Sequence, residues 1–200
     1  MKIICIGRNY ANHAKELGNQ IPKEPVIFMK PESALSLSDT FLTPSFSEEI
    51  HYELEIVVKI NQKGKNISKE EAPNFYNELA LGIDFTARDI QSNLKSKGLP
   101  WEKAKAFDQS AFLSRFFSKE IVTSETFFSL KKNNQTVQEG QTKNMLFSIN
   151  ELIENCSKYF TLEEGDLIYT GTPEGVGPII KGDKLEGFIE EESFFKIEIM

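Results

Sequence analysis

The stretch His51-Tyr52-Glu53-Leu54-Glu55-Ile56-Val57-Val58 constrains the fold more than any other. Apolar and β-branched residues alternate there with polar ones, which predicts a β-strand running on to about Ile60. Side chains on a strand alternate between faces, so His51, Glu53 and Glu55 share one face and Tyr52, Leu54 and Ile56 the other. Two rises of about 3.4 Å set the glutamates roughly 7 Å apart at the backbone. At an effective dielectric near ~20, two anions at that spacing repel by about 2 kcal/mol. An isolated Glu-x-Glu is more often the solvated face of an edge strand. On a buried face the pair needs a cation or a bound proton.

Composition narrows the setting. At 200 residues, with 40% hydrophobic and 26% charged side chains, the chain suits one soluble domain with a sizeable core. A net charge of −7 without a basic stripe argues against nucleic acid or an anionic membrane as a partner. Only Cys5 and Cys156 carry thiols, which fits a reduced, cytoplasmic protein. No run is long enough to span a bilayer, and the apolar start at Met1–Ile6 is too short for a secretory signal. Imidazole chemistry must come from His13 or His51.

The remaining pattern predicts many short strands with a few short helices at the edges, a β-rich α+β fold. Strands are expected at Lys2–Ile6, Pro25–Lys30 and Leu167–Thr170, with two more closing the chain after Gly182-Asp183 and around Glu190–Glu192. Phe127–Lys132 and Thr136–Glu139 read as a hairpin about Asn133-Asn134, residues that tolerate positive φ. Asn9 is placed to cap a short helix ended by Gly18, with His13 and Glu16 on one face at i,i+3. Asn74–Ala80 is expected to be helical. Thr86–Asp89 and Ser148–Glu151 have the form of capping boxes, for helices reaching Lys97 (with Gly98 just beyond) and Tyr159.

Asp84 stands inside Leu81-Gly82-Ile83-Asp84-Phe85, and a buried lone charge costs several kcal/mol, so it needs a partner. With Glu53 and Glu55 it offers three hard oxygen ligands. Mg²⁺ or Mn²⁺ prefers about six, which leaves positions for water or a chelating substrate. The Gly171–Pro178 stretch is no Walker A loop, but its backbone N–H groups and the Thr172 hydroxyl could receive a carboxylate.

Five separated segments complete the pattern, in order: Gly-Arg-Asn-Tyr-Ala-x-His-x-x-Glu (7–16), His-Tyr-Glu-Leu-Glu (51–55), Gly-Ile-Asp-Phe-Thr-Ala-Arg-Asp-x-Gln (82–91), Lys-Gly-Leu-Pro-Trp (97–101) and Tyr-Thr-Gly-Thr-Pro-Glu-Gly-Val-Gly-Pro (169–178). This set resembles the fumarylacetoacetate hydrolase family, in particular its short, single-domain acylpyruvase and oxaloacetate decarboxylase branch. The resemblance implies one catalytic domain over residues 1–200, folded as a mixed β-sandwich roll with short peripheral helices, and a homodimer. It implies Glu53, Glu55 and Asp84 as ligands of Mg²⁺, with Mn²⁺ or Ca²⁺ as alternatives. It implies His13 and Glu16 as a catalytic dyad on a lid helix over residues 9–18, and Lys105 as the catalytic lysine. Arg8, Arg88, Gln91 and Thr172 would contact substrate. The implied activity is hydrolysis of the C–C bond of acylpyruvates to pyruvate and a carboxylic acid, together with oxaloacetate decarboxylation. Isomerisation or decarboxylation of 2-hydroxydienedioates uses the same chemistry. A non-catalytic module binding a metal or a 2-oxo acid is the reading of another class.

Overall fold

The acid-bearing segment lies at the centre of the molecule. The computed structural model describes every residue except Leu17 and Asn19. In chain order the strands are β1 (Ile3–Gly7), β2 (Val26–Lys30), β3 (Leu35–Ser36), β4 (Thr40–Phe41), β5 (Ile50–Tyr52), β6 (Leu54–Ile60), β7 (Tyr76–Asp84) and β8 (Thr86–Ala87). Then come β9 (Ala111–Leu113), β10 (Phe117–Ser118), β11 (Phe127–Lys132), β12 (Gln135–Gln141), β13 (Leu167–Tyr169), β14 (Gly177–Pro178), β15 (Lys184–Ile189) and β16 (Glu192–Ile199). The helices are α1 (Ala11–Glu16), α2 (Arg88–Ser96), α3 (Glu102–Lys105) and α4 (Ile149–Tyr159).

The largest sheet has the order β2-β1-β13-β6-β7-β9-β3, with β10 also on β7; a second runs β12-β11-β15-β16-β4, and a short third runs β14-β5-β8. Parallel pairs (β1 with β13, β3 with β9, β4 with β16) stand among antiparallel ones, so the architecture is the mixed, curled β-sandwich that was expected. The two larger sheets share one core, in which aromatic rings interlock. Phe112 of β9 meets Phe195 of β16 at 4.8 Å between centroids, and Phe41 stacks on Phe85 at 3.9 Å. The helices lie outside, and among the described residues none is long and apolar enough to cross a membrane. Cys5 and Cys156 are both free and buried.

Strand directions place the site. β1 and β13 run parallel, β6 runs against β13, and β7 against β6. The ends of β1, β7 and β13 therefore meet the start of β6. Glu53, Glu55, Asp84, Arg8 and Gly171-Thr172 all stand at that rim.

Several local expectations hold. The Asn133-Asn134 hairpin has both residues at positive φ, 52° and 67°. Ser148 and Glu151 form a complete capping box on α4. Gly98 takes φ +63° just after α2.

Others are corrected. The acid strand is not continuous: it breaks at Glu53, with β5 and β6 in different sheets. The break has a cause, because the Leu54 N–H donates to the Gln138 side chain at 2.9 Å instead of to a strand. Asn74–Ala80 is not a helix. A 3₁₀ turn at Ala72–Phe75 leads straight into β7, where pairing of Leu79 with Val58 and Glu78 with Lys59 overrides local helix propensity. Thr86 and Asp89 form no capping box, since α2 has Ala87 at its N-cap and no side-chain cap. Their side chains are engaged elsewhere: Thr86 Oγ1 donates to Glu53 Oε1 at 3.0 Å, and Asp89 accepts from Ser47 at 2.6 Å. Asn9 caps no helix either, bonding instead to Phe147 and Thr170.

Gly82 packs where β7 approaches Asp84. A Cβ there would lie 2.6 Å from the Tyr169 ring, 2.7 Å from Val57 and 2.9 Å from the Phe112 carbonyl oxygen. Tyr169 is fully buried with its hydroxyl on that same carbonyl at 2.7 Å, so the neighbours cannot retreat. Gly82→Ala is expected to cost about 1–3 kcal/mol in chemical denaturation, the usual scale of overpacking.

Candidate active site

Residues Glu53 and Glu55 flank Leu54, whose side chain is in the core. Asp84 stands opposite Glu53, its N–H donating to the Glu53 carbonyl at 2.9 Å. The three carboxylates offer oxygens lying within 4.8 Å of one another, and all three side chains are buried. Repulsion expected from sequence is therefore real, and three cations answer it. Lys105 Nζ reaches Asp84 Oδ2 at 2.6 Å and Glu53 Oε2 at 2.8 Å. Arg88 donates to Glu53 Oε1 at 2.5 Å. Lys30 Nζ lies 2.7 Å from Asp84 Oδ1.

Each group responds to this crowding. Burial opposes ionisation of Glu53, but Lys105 and then Arg88 outweigh it and hold the carboxyl well below the usual range. Burial pushes Glu55 well above that range, and the Asp84 and Glu53 charges add to the push, although the Gly171 N–H donates to its Oε2 at 2.6 Å. Burial works against charge on Lys105, yet Asp84 and Glu53 overcome it and raise its pKa.

These residues fit a divalent ion. The donors are hard oxygens, the type Mg²⁺ and Mn²⁺ select. Asp84 Oδ1 is buried and receives no aligned hydrogen bond, despite its ion-pair contact with Lys30. Glu55 resists ionisation for want of positive charge, which an ion would supply.

The expected residues other than Glu16 converge on one cleft. His13, Glu53, Glu55, Asp84, Lys105 and Thr172 line it, as do Arg8, Arg88 and Gln91. Helix α2 presents Arg88 and Gln91 at i,i+3, bonded to each other at 2.5 Å. Arg8 is held at φ +62°, a conformation rare for a residue with a side chain, and it directs the arginine into the cleft rim.

Helix α1 covers one side. His13 is buried, with its Nδ1 3.2 Å from Glu16 Oε2. The Glu16 carboxylate also accepts the Gly175 N–H at 3.1 Å, and Asn12 donates to Glu174 at 3.0 Å, so α1 rests on the glycine-rich loop. That loop does present N–H groups to carboxylates, as its sequence suggested, but to the protein's own Glu55 and Glu16. The helix is shorter than expected, Ala11–Glu16; residues 17 and 19 of the expected lid span lie outside the described residues.

His51 departs from the face it was expected to share with the glutamates. With the strand broken, its Nε2 pairs with Glu49 at 2.7 Å and its Nδ1 faces Arg88 Nε at 3.4 Å. Sequence reasoning missed Lys30, Thr86 and Gln138. Lys30 carried a signal, a lone cation ending the apolar run Val-Ile-Phe-Met; its side chain is fully buried and donates to the Ser110 carbonyl at 2.9 Å and to the Lys105 carbonyl. Thr86 bridges Lys105 and Glu53, at 2.6 and 3.0 Å. Gln138 gave no signal.

Comparison with known proteins places this geometry. A family model described as "Fumarylacetoacetate (FAA) hydrolase C-terminal" matches residues 2–200. A mitochondrial oxaloacetate tautomerase of Mus musculus is 43% identical over 191 residues, covering 94% of this chain and 86% of the relative. An oxaloacetate tautomerase of Escherichia coli strain K12 is 42% identical over 188 residues, covering 92% of this chain and 86% of its own. Among solved structures, a fumarylpyruvate hydrolase of Pseudomonas aeruginosa in complex with Mn²⁺ and pyruvate superposes with a TM-score of 0.93 at 32% identity, covering 100% of this chain and 89% of that one.

Proposed function

Since the chain belongs to the fumarylacetoacetate hydrolase family, a family of enzymes, we propose that it is a divalent-metal-dependent catalyst of proton transfer at carbon 3 of small 2-oxo acids, with keto–enol interconversion of oxaloacetate as its reaction. The observation that carries this reading is the meeting of Glu53, Glu55 and Asp84 within 4.8 Å at a cleft that also holds Lys105 and His13. The oxaloacetate tautomerases named above, at 42–43% identity, favour this substrate.

Glu53, Glu55 and Asp84 would hold Mg²⁺ or Mn²⁺, which would supply Lewis-acid chemistry to a chelating acid. The rest falls to the chain's own side chains. Arg88, Gln91 and Thr172 supply donors that fix the acid's orientation. His13 takes the C3 proton, the electron pair of that C–H bond moves toward the 2-oxo oxygen, and the proton passed on from His13 to that oxygen completes the enol and restores the base. Glu16, accepting from Nδ1, keeps the proton on that nitrogen and leaves Nε2 as the base. Lys105 adds fixed positive charge beside the developing negative charge.

A second reading is C–C hydrolysis of acylpyruvates, favoured by the same His13–Glu16 pair at 3.2 Å. There His13 would deprotonate water, the oxygen would add to the distal carbonyl, and the C3–C4 bond would break to leave pyruvate and a carboxylic acid. Parallel assays of oxaloacetate enol decay, oxaloacetate decarboxylation and pyruvate release from acetylpyruvate separate the readings. Each is run on metal-stripped protein and after adding Mg²⁺ or Mn²⁺. Enol decay that needs the metal is the expected result. Undiminished turnover after chelation would remove the metal from the reaction, and metal-dependent pyruvate release alone would favour the hydrolase.

A further inference from the structure

Gln138 lies on β12, in the sheet opposite the acid-bearing strand, and its side chain is 1% exposed. It reaches the rim of the cleft from behind. Its Oε1 accepts the Leu54 N–H at 2.9 Å, at the break between β5 and β6. Its Nε2 donates to the Pro173 carbonyl at 3.0 Å and to Thr172 Oγ1 at 2.8 Å. The two backbone contacts fix the amide's orientation, because an N–H needs an acceptor and a carbonyl needs a donor. The loop is held close to β12 as well: Gly175 sits at φ +92°, and a Cβ there would lie 2.3 Å from the Val137 carbonyl oxygen.

This fixes more than position. A hydroxyl has one proton and accepts through its lone pairs. An amide nitrogen only donates, so Thr172 Oγ1 accepts from Gln138 and its own proton must point elsewhere. Thr172 is 3% exposed and lines the cleft, so the direction left for that proton is into the cleft.

We propose that Gln138 is a positioning residue that sets the polarity of the Thr172 hydroxyl, presenting it as a pre-aimed hydrogen-bond donor to the carboxylate of the bound 2-oxo acid. The assignment rests on the function proposed above. A carboxylate accepts and never donates, so a hydroxyl held as a donor favours it over a ligand that offers an N–H at the same place. The bond tying Gln138 to Leu54 sets the donor relative to Glu53 and Glu55, which flank that residue.

Gln138→Glu is nearly isosteric and keeps an acceptor for Leu54. Ionised, its carboxylate accepts from Thr172 and so turns the hydroxyl proton away from the cleft, while the Pro173 carbonyl loses its donor. The probe is oxalate, a small chelating diacid, titrated calorimetrically into Mn²⁺-loaded protein. Oxalate affinity is expected to fall roughly 10-fold, the scale of one charge-assisted hydrogen bond, while Mn²⁺ affinity is unchanged. Thr172→Val should lose about as much, and Gln138→Glu added to Thr172→Val should lose nothing further. Gln138→Met, which leaves the hydroxyl free to rotate, should fall between wild type and Gln138→Glu; it carries the test should the glutamate variant fail to fold. Wild-type oxalate affinity in Gln138→Glu, or an equal loss with Thr172 already replaced, would overturn the assignment. Wild-type protein that binds Mn²⁺ but not oxalate would instead overturn the function on which it rests.

Discussion

Metal-free Asp84→Asn protein is expected to unfold more readily than wild type, Glu55→Gln to unfold less readily as pH rises above the ordinary carboxyl range, and both to lose turnover. The two carboxylates sit at one site but carry opposite roles in stability. Asp84 is the counter-charge for two buried lysines, Lys30 and Lys105, at 2.7 and 2.6 Å. Neutralising it leaves those cations under-compensated, which costs about 3 kcal/mol. Glu55 has no lysine of its own and is pushed up by burial and by its acidic neighbours. A carboxyl whose folded pKa is raised gives stability that is fully present below the unfolded value near ~4.3 and is lost as pH rises through the folded value. Glutamine removes that loss and keeps an acceptor for the Gly171 N–H. Urea unfolding of metal-free protein across pH should therefore show wild type weakening with rising pH and Glu55→Gln holding level. The same proton must leave when an ion binds, so Mn²⁺ affinity of wild type should climb with pH. Turnover of either variant should drop at least ~100-fold, since even groups that only support metal ligands are worth ~10–100-fold. Stability shifts of the same sign in both variants would contradict these assignments.

Much of this site was legible because its residues obey local rules. Alternation placed Glu53 and Glu55 on one face, and the isolated charge in Leu-Gly-Ile-Asp-Phe marked Asp84 as a group in need of a cation. Asn133-Asn134 and the Ser148–Glu151 box encode their turns within a few residues. The errors share one origin: a local signal was overruled by a distant partner. Asn74–Ala80 has helix-forming residues but is held as a strand by β6. Thr86 has the chemistry of a cap, yet Glu53 and Lys105 claim its hydroxyl from 33 and 19 positions away. The break before Leu54 depends on Gln138, 84 residues beyond Leu54, and nothing near either residue announces the other.

Glu16→Gln should lower turnover about 100-fold or more while leaving Mn²⁺ and oxalate affinity near wild type. In the proposed mechanism the Glu16 carboxylate accepts from His13, which places the ring proton on Nδ1 and leaves Nε2 as the base. A glutamine at that position keeps its carbonyl for the Gly175 N–H, now bonded at 3.1 Å, and turns its amide nitrogen toward His13. That nitrogen donates, so Nδ1 must accept, and the ring proton moves to Nε2, where the base is needed. The fold and the docking of α1 are expected to survive, and the ring tautomer is expected to change. His13→Ala removes the base altogether and should cost about 10²–10⁴-fold, the range of general acid–base catalysis. Oxalate needs no proton transfer to bind, so its affinity in both variants separates a lost base from a collapsed helix. A Glu16→Gln variant with full turnover would remove the dyad from the chemistry and leave proton transfer to another group of the cleft.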